Sequence, residues 1–235
     1  MRLIDAIHAA FILLFSGDAV LWQIISVSLK TTGAGLLIAT PLAVAAGYAI
    51  ASHAFAGRRI IIWLAQAALS LPTVLIGLML YLMLSRQGPW GGLQWLFTQP
   101  GIIAGQVLIA LPVLLAFTLA AVQAADPRLA ETAITHGASG WRVMVTVLHE
   151  VRFGVMIAVI NGFGRVISEV GCAMMVGGNI AGETRTITTA IALETSKGEF
   201  SQGIALGIVL ITIALVINAA LMLLQGDARA ARGAQ

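Results

Sequence analysis

Residues 102–124 read IIAGQVLIALPVLLAFTLAAVQA and carry no charged side chain. A helix needs about 20 mostly apolar residues to cross the hydrocarbon core of a bilayer. This stretch therefore predicts a transmembrane helix, and the rest of the chain divides around it in the same way. Nothing charged lies between Lys30 and Arg58, between Arg59 and Arg86, or between Glu199 and Asp227. Further spans follow at roughly 22–52, 60–84 and 203–225. A fifth, at about 153–176, contains Arg165 and Glu169, which sit four apart on one helical face and can pair.

Composition agrees. The chain has 235 residues, 59% of them hydrophobic and 10% charged. An average soluble domain is roughly half apolar and about a quarter charged. One water-soluble core cannot hide this much apolar surface, and disorder needs the opposite composition. The expectation is an all-α polytopic membrane bundle of five transmembrane helices in a lipid bilayer. Cys172 is the single cysteine, so neither an internal disulfide nor a cysteine-cluster metal site can form. His8, His53, His136 and His149 show no ligand-like spacing, and no metal site is expected. The basic residues are spread along the whole chain, which argues against nucleic-acid binding.

Residues 1–19 read as an interfacial helix, with Leu3, Ile7, Phe11 and Leu14 at helical spacing. Residues 20–226 form the transmembrane bundle and 227–235 a tail. Arginines orient the bundle. If 53–59, 125–152 and the tail share one side, that side holds Arg58, Arg59, Arg128, Arg142, Arg152, Arg229 and Arg232. The other holds Arg2, Arg86, Arg185 and Lys197, while Lys30 and Arg165 fall within spans. The arginine-rich side is then cytoplasmic. Three spans carry a proline near the middle: Pro41, Pro72 and Pro112. Each removes a backbone donor and predicts a kink, serving either bundle shape or a pore whose walls flex. Gly101-x-x-x-Gly105 and Gly203-x-x-x-Gly207 favour close helix packing within one subunit.

The segment from Asp126 to Arg142, DPRLAETAITHGASGWR, predicts two short helices at the membrane face. Asp126 suits an N-cap and Pro127 the first helical position. Gly137 can end the first helix in a left-handed conformation, and Ser139 can cap a second from Gly140. With Glu131, Thr132, Ala133 and Gly137, this loop resembles the cytoplasmic Glu-Ala-Ala-x-x-x-Gly signature of ABC importer permeases. Thr132 replaces the first alanine. The signature's Ile-x-Leu-Pro ending is absent, the chain reading Val147-Leu148-His149-Glu150.

The likeness extends from about residue 20 to 225. Gly57-Arg58-Arg59, Leu71 to Leu78, Leu84 to Pro89, Gly162 to Arg165, Ser168 to Gly171 and Met174 to Ile180 are similar to the tungstate-type permeases. So is Thr184-Arg185 with the run from Thr188 to Gly198, the most distinctive block. The resemblance implies a homodimeric pore subunit in a bacterial or archaeal plasma membrane. It implies a separate cytoplasmic ATPase dimer and an extracytoplasmic oxyanion-binding protein. The loop 126–150, with Glu131, Thr132, Ala133, Gly137 and Trp141, would be the element that engages the ATPase.

The residues themselves set limits. A phosphate-binding loop needs Gly-Lys-Ser/Thr, and Lys30 follows Leu29 while Lys197 follows Ser196. ATP would be bound by the partner, and this chain is not expected to be an enzyme or to hold a cofactor. Arg165 and Glu169 lie mid-span, where ionisable groups are costly to bury. Two readings stay open: a charge pair that locks packing, or a pathway in which Arg165 attracts a dianion and Glu169 moderates the pull. Thr184, Arg185 and Thr188 offer donors to an oxyanion, but the loop 177–202 also suits a solvated surface that meets the binding protein, and Ile187 to Leu193 can re-enter toward a pore. The alternative function is an ion-gradient-driven transporter or channel for a small anion.

Overall fold

A computed structural model describes residues 11–12 and 17–233, with side chains to residue 220 and at 223. The described residues form ten α-helices and no strand. They are α1 (Ala19–Ser52), α2 (Arg58–Ala68), α3 (Thr73–Leu84), α4 (Gln99–Gln123), α5 (Pro127–Thr135), α6 (Gly140–Glu150), α7 (Arg152–Ile167), α8 (Gly171–Gly177), α9 (Ile187–Ser196) and α10 (Phe200–Gly233). The expected interfacial helix at 1–19 lies almost wholly outside the described residues.

The centre is the pair α1 and α4. Both are apolar around most of their circumference, with Leu37, Ile38 and Leu42 of α1 exposed as residues facing lipid would be. Gly35 lets Gln106 approach so closely that a Cβ there would meet Gln106 Cβ at 3.0 Å, and Gly47 does the same for Thr118. One offset relates both contacts, so the helices run parallel. The Gln106 amide donates to Thr31 Oγ1 at 3.4 Å, one turn back along the partner helix. The same offset sets Pro41 level with Pro112, both of which lie inside their helices. It also sets Lys30 level with the first turn of α4. Lys30 thus stands at the end of the segment of α1 that pairs with α4.

Two predicted spans are broken helices. The stretch 60–84 splits into α2 and α3, bent by 100°. Each piece is roughly 17 Å long at 1.5 Å per residue, too short to cross about 30 Å of hydrocarbon alone. Pro72 is therefore not a mid-helix kink: it precedes α3 in an extended conformation and opens the helix. The second break separates α7 from α8 at residues 168–170. A Cβ on Gly154 would touch Ala121, one on Gly162 Leu114, one on Gly105 Cys172, and one on Gly101 Val176. Those pairs run antiparallel along α4 without a shift of register, so α7 and α8 together follow it from one end to the other. By length and composition α6 and α7 also make a bent pair, at 71°. The buried valines of α6 pack against Tyr48 and Val122 at one end of the bundle, however, and α8 is the continuation of α7.

The two breaks touch. A Cβ on Gly171 would lie 2.6 Å from Val74 Cγ2, and one on Gly77 2.7 Å from Cys172 Cα. The half-helices α3 and α8 run parallel from this point toward the end that carries the start of α4. Gly101 and Gly105 are thus spent on packing within the chain, as expected, whereas Gly207 faces open space. At the opposite end, which we call inner after the arginine count, Arg58 donates from Nε to Ile50 O at 2.7 Å and from Nη2 to Ala51 O at 3.0 Å. It satisfies carbonyls that the last turn of α1 leaves free.

Gly77→Val should lower the melting midpoint of the detergent-solubilised protein, because the new Cβ meets backbone; overpacking of this kind costs about 1–3 kcal/mol. Gly207→Ala should leave the midpoint unchanged. Equal midpoints for the two variants would refute the α3–α8 contact.

Candidate coupling surface and membrane-centre ion pair

The sequence folds 126–150 as its local signals direct. Asp126 Oδ1 accepts from Arg128 N at 2.9 Å, and Pro127 fills the first turn of α5. Gly137 turns the chain at φ +77°, a region an L side chain enters only with strain. Its N–H donates to Ile134 O, and that of Ala138 to Ala133 O. Helix α6 then starts at Gly140, as predicted. Ser139 occupies the cap position but makes no side-chain cap bond.

Apolar spacing decides which side of this hairpin is anchored. Val143 and Val147 of α6 are buried with Tyr48 of α1 and Val122 of α4, and Ala130, Ala133 and Ala138 pack around them. The hairpin is thereby tied to the inner ends of the two central helices. A cavity of about 740 Å³ remains beneath it, lined by Tyr48, His53, Arg58, Asp126, Glu131 and Val143 among others. The loop 53–59 and the loop 125–150 thus share one end of the molecule, as the orientation argument requires. Glu131, Thr132 and Gly137 are exposed and Ala133 is half-buried, with Glu131 and Ile134 both lining the cavity. Ile134 is 60% exposed and Trp141 70%. Large apolar side chains standing free on a short helical hairpin are the feature of a surface built to be covered.

At mid-depth, Arg165 Nη1 lies 3.6 Å from Glu169 Oε2. The pair does not sit on one uninterrupted helical face. α7 ends at Ile167, and Glu169 lies in the break. Its other oxygen accepts from Cys172 N at 2.9 Å, satisfying a free donor at the start of α8. Its backbone carbonyl accepts from Thr188 Oγ1 at 2.8 Å. Glu169 is therefore buried and held from three sides, while the Arg165 side chain remains 41% exposed. Burying such a carboxylate is tolerable only because donors and a cation surround it.

Thr184, Thr186, Thr188 and Thr189 of the loop 177–202 are buried. Thr184 donates to Gly177 O at 2.6 Å and accepts from Ile180 N at 2.9 Å. Thr186 and Thr189 form a reciprocal capping box at the start of α9, and Ile187 N donates to Ser28 Oγ at 2.8 Å. Thr184 and Thr188 are buried and fully engaged within the chain. Thr184 ties the loop to the end of α8, Thr188 ties it to the helix break, and Ser28 ties it to α1. Arg185 is half-buried and reaches Asn179 Oδ1 at 3.3 Å. The structure thus joins Arg165, Glu169 and Thr188 in one cluster and leaves Thr184 and Arg185 in another.

Sequence reasoning passed over two neighbours of Arg165. Asn161 and Ser168 stand at its i−4 and i+3 positions and are exposed on the same face of α7. Asn161 Nδ2 donates to Ile157 O, and Ser168 Oγ to Gly164 O. Helical spacing of polar residues within an apolar span was the signal that marked them.

Comparison with known proteins accords with this geometry. Residues 39–227 match the family described as "binding-protein-dependent transport system inner membrane component". The chain is 37% identical to a tungstate uptake system permease protein, TupB, of Campylobacter jejuni, over 91% of this chain and 90% of the relative. It is 36% identical to a probable anion ABC transporter permease protein of Haloferax volcanii, over 84% and 87% respectively. A molybdenum transport system permease, ModB, of Escherichia coli K12 is 27% identical over 83% of this chain and 89% of the relative. The fold matches a chain of a bacterial ABC transporter that imports alginate, with a TM-score of 0.75, 21% identity, and coverage of 93% of this chain and 83% of that one. This chain belongs to the inner membrane component family of binding-protein-dependent transport systems.

Proposed function

We propose that this protein is the pore-forming permease subunit of an ATP-driven importer for tungstate or a similar oxyanion. It works as a homodimer in the plasma membrane. A separate ATPase dimer binds its inner face, and an external binding protein delivers the ion. The observation that carries this reading is the hairpin of α5 and α6. Val143 and Val147 anchor it to the two central helices, while Glu131, Ile134 and Trp141 stand uncovered. Such a piece transmits force. A push on its outer side moves the inner ends of α1 and α4 together, because they share one apolar contact. Work done on the hairpin by ATPase closure thereby reaches the transmembrane helices as a rigid-body displacement.

The substrate class rests on the tungstate and anion permeases among the relatives. The ion-gradient alternative gains no support from them. The loop from Asn179 to Thr186 and α9 lies at the end opposite the hairpin, where it suits contact with a binding protein. Arg185 and Asn179 form its polar edge.

Two experiments test the reading. The permease, its ATPase and its binding protein, reconstituted in liposomes, should accumulate radiolabelled tungstate only when ATP is supplied on the ATPase side. Uptake driven by an ion gradient with the permease alone would overturn the proposal. Separately, Glu131→Ala and Gly137→Asp should insert normally but copurify with less ATPase. Aspartate at 137 adds left-handed strain of about 1 kcal/mol and shifts the turn. Full ATPase recovery with both variants would exclude the hairpin as the docking element.

A further inference from the structure

The depth of Arg165 can be read from the packing of α7 and α8 along α4. Gly162 meets Leu114 and Cys172 meets Gly105, so Arg165 lies level with Leu111 and Pro112, halfway along α4. A guanidinium at the bilayer centre is expensive, and such residues face the interior of an assembly or a water-filled cavity. Yet this side chain does not turn into its own chain. It is 41% exposed, and its face of α7 continues in the same character. Asn161 and Ser168 are exposed, and a Cβ on Gly164 would meet nothing within 4 Å. Both polar side chains bond back to carbonyls of their own helix and, among the described residues, have no partner across a helix interface. Acyl chains cannot cover this stripe, and lipid phosphates lie at another depth. What covers it must be polar.

Its sign is equally defined. Among the described residues the carboxylate that pairs with it, Glu169, is 2% exposed and is held by Cys172 N. The stripe therefore presents a positive charge and neutral hydrogen-bonding groups. The contact from Arg165 to Glu169, 3.6 Å long, is longer than a strong charge-assisted bond of about 2.7–2.9 Å. The remaining donors of the guanidinium fork are left for another oxygen ligand, and that fork matches the geometry of an oxyanion.

We propose that the face of α7 formed by Asn161, Arg165 and Ser168 is the anion-selecting wall of the translocation path, with Arg165 contacting the passing oxyanion. The proposal rests on the transport reading above and adds the residues that choose the ion within the membrane. Glu169 is a positioning residue. It anchors the start of α8, holds Arg165 at the wall, and weakens the cation's grip so that the ion moves on. A site that binds too tightly stops conduction.

The test uses the complete complex with binding protein and ATPase. Arg165→Gln should lower ATP-dependent tungstate uptake about tenfold, the scale of one lost charge-assisted hydrogen bond, while ATPase copurification stays unchanged. Arg165→Lys should recover part of the rate. Asn161→Cys and Ser168→Cys should react with an anionic methanethiosulfonate reagent, since reaction needs a hydrated thiolate; Leu215→Cys, on an apolar exposed stretch of α10, should not. The native Cys172 is buried and provides a silent background. Wild-type uptake rates in Arg165→Gln, or labelling at 161 and 168 no faster than at 215, would overturn the wall while leaving the importer reading standing. Absence of ATP-dependent uptake in the unmodified complex would remove the importer reading and this inference with it.

Discussion

The parallel contact of α1 with α4 is the constraint from which the rest follows. It depends on Gly35 and Gly47, where a larger residue would meet Gln106 or Thr118. In a bilayer no hydrophobic force drives helices together, so small residues and dispersion contacts must do it. Once this register is set, the inner ends of both helices lie side by side and receive the same valines of α6. Their other ends receive α9 and the broken helices. Every functional element described here is referred to these two rods, and a change in their relative position alters all of them at once.

The second constraint is the cost of interrupting a helix in apolar surroundings. Both breaks are compensated locally. Residues 168–170 interrupt the helical hydrogen bonds, and Glu169 supplies an acceptor to the N–H of Cys172. Pro72 removes a donor where no intrahelical acceptor would exist, which is why proline fits there. Thr188 ties the carbonyl of Glu169 to α9. The ionisable pair thus has a structural role and an exposed one, divided between its two members: the buried carboxylate secures the backbone, and the half-exposed guanidinium faces outward.

Much of this architecture was legible in the sequence, because its determinants are local. Charge-free runs marked the membrane-embedded segments. Asp126-Pro127 and Gly137 marked the ends of α5 at the correct residues. The breaks were less legible. Pro72 reads equally as a mid-helix kink or as a helix start, and only its surroundings decide. The break after Ile167 has no proline at all, and Arg165 with Glu169 mimics an intrahelical pair. The burial of the threonines of 184–189 was hidden for a related reason. Hydroxyls suit both an ion and a buried loop, and composition alone does not report burial. The polar stripe of α7 was visible in outline, but its direction, away from its own chain, is a tertiary property.

The level placement of Pro41 and Pro112 has a consequence of its own. Two adjacent rods notched at different depths would grind against each other when flexed, and the close contacts at Gly35 and Gly47 would be lost. Notched at one depth, they would flex together with each half keeping its seam, about the level where Arg165 stands.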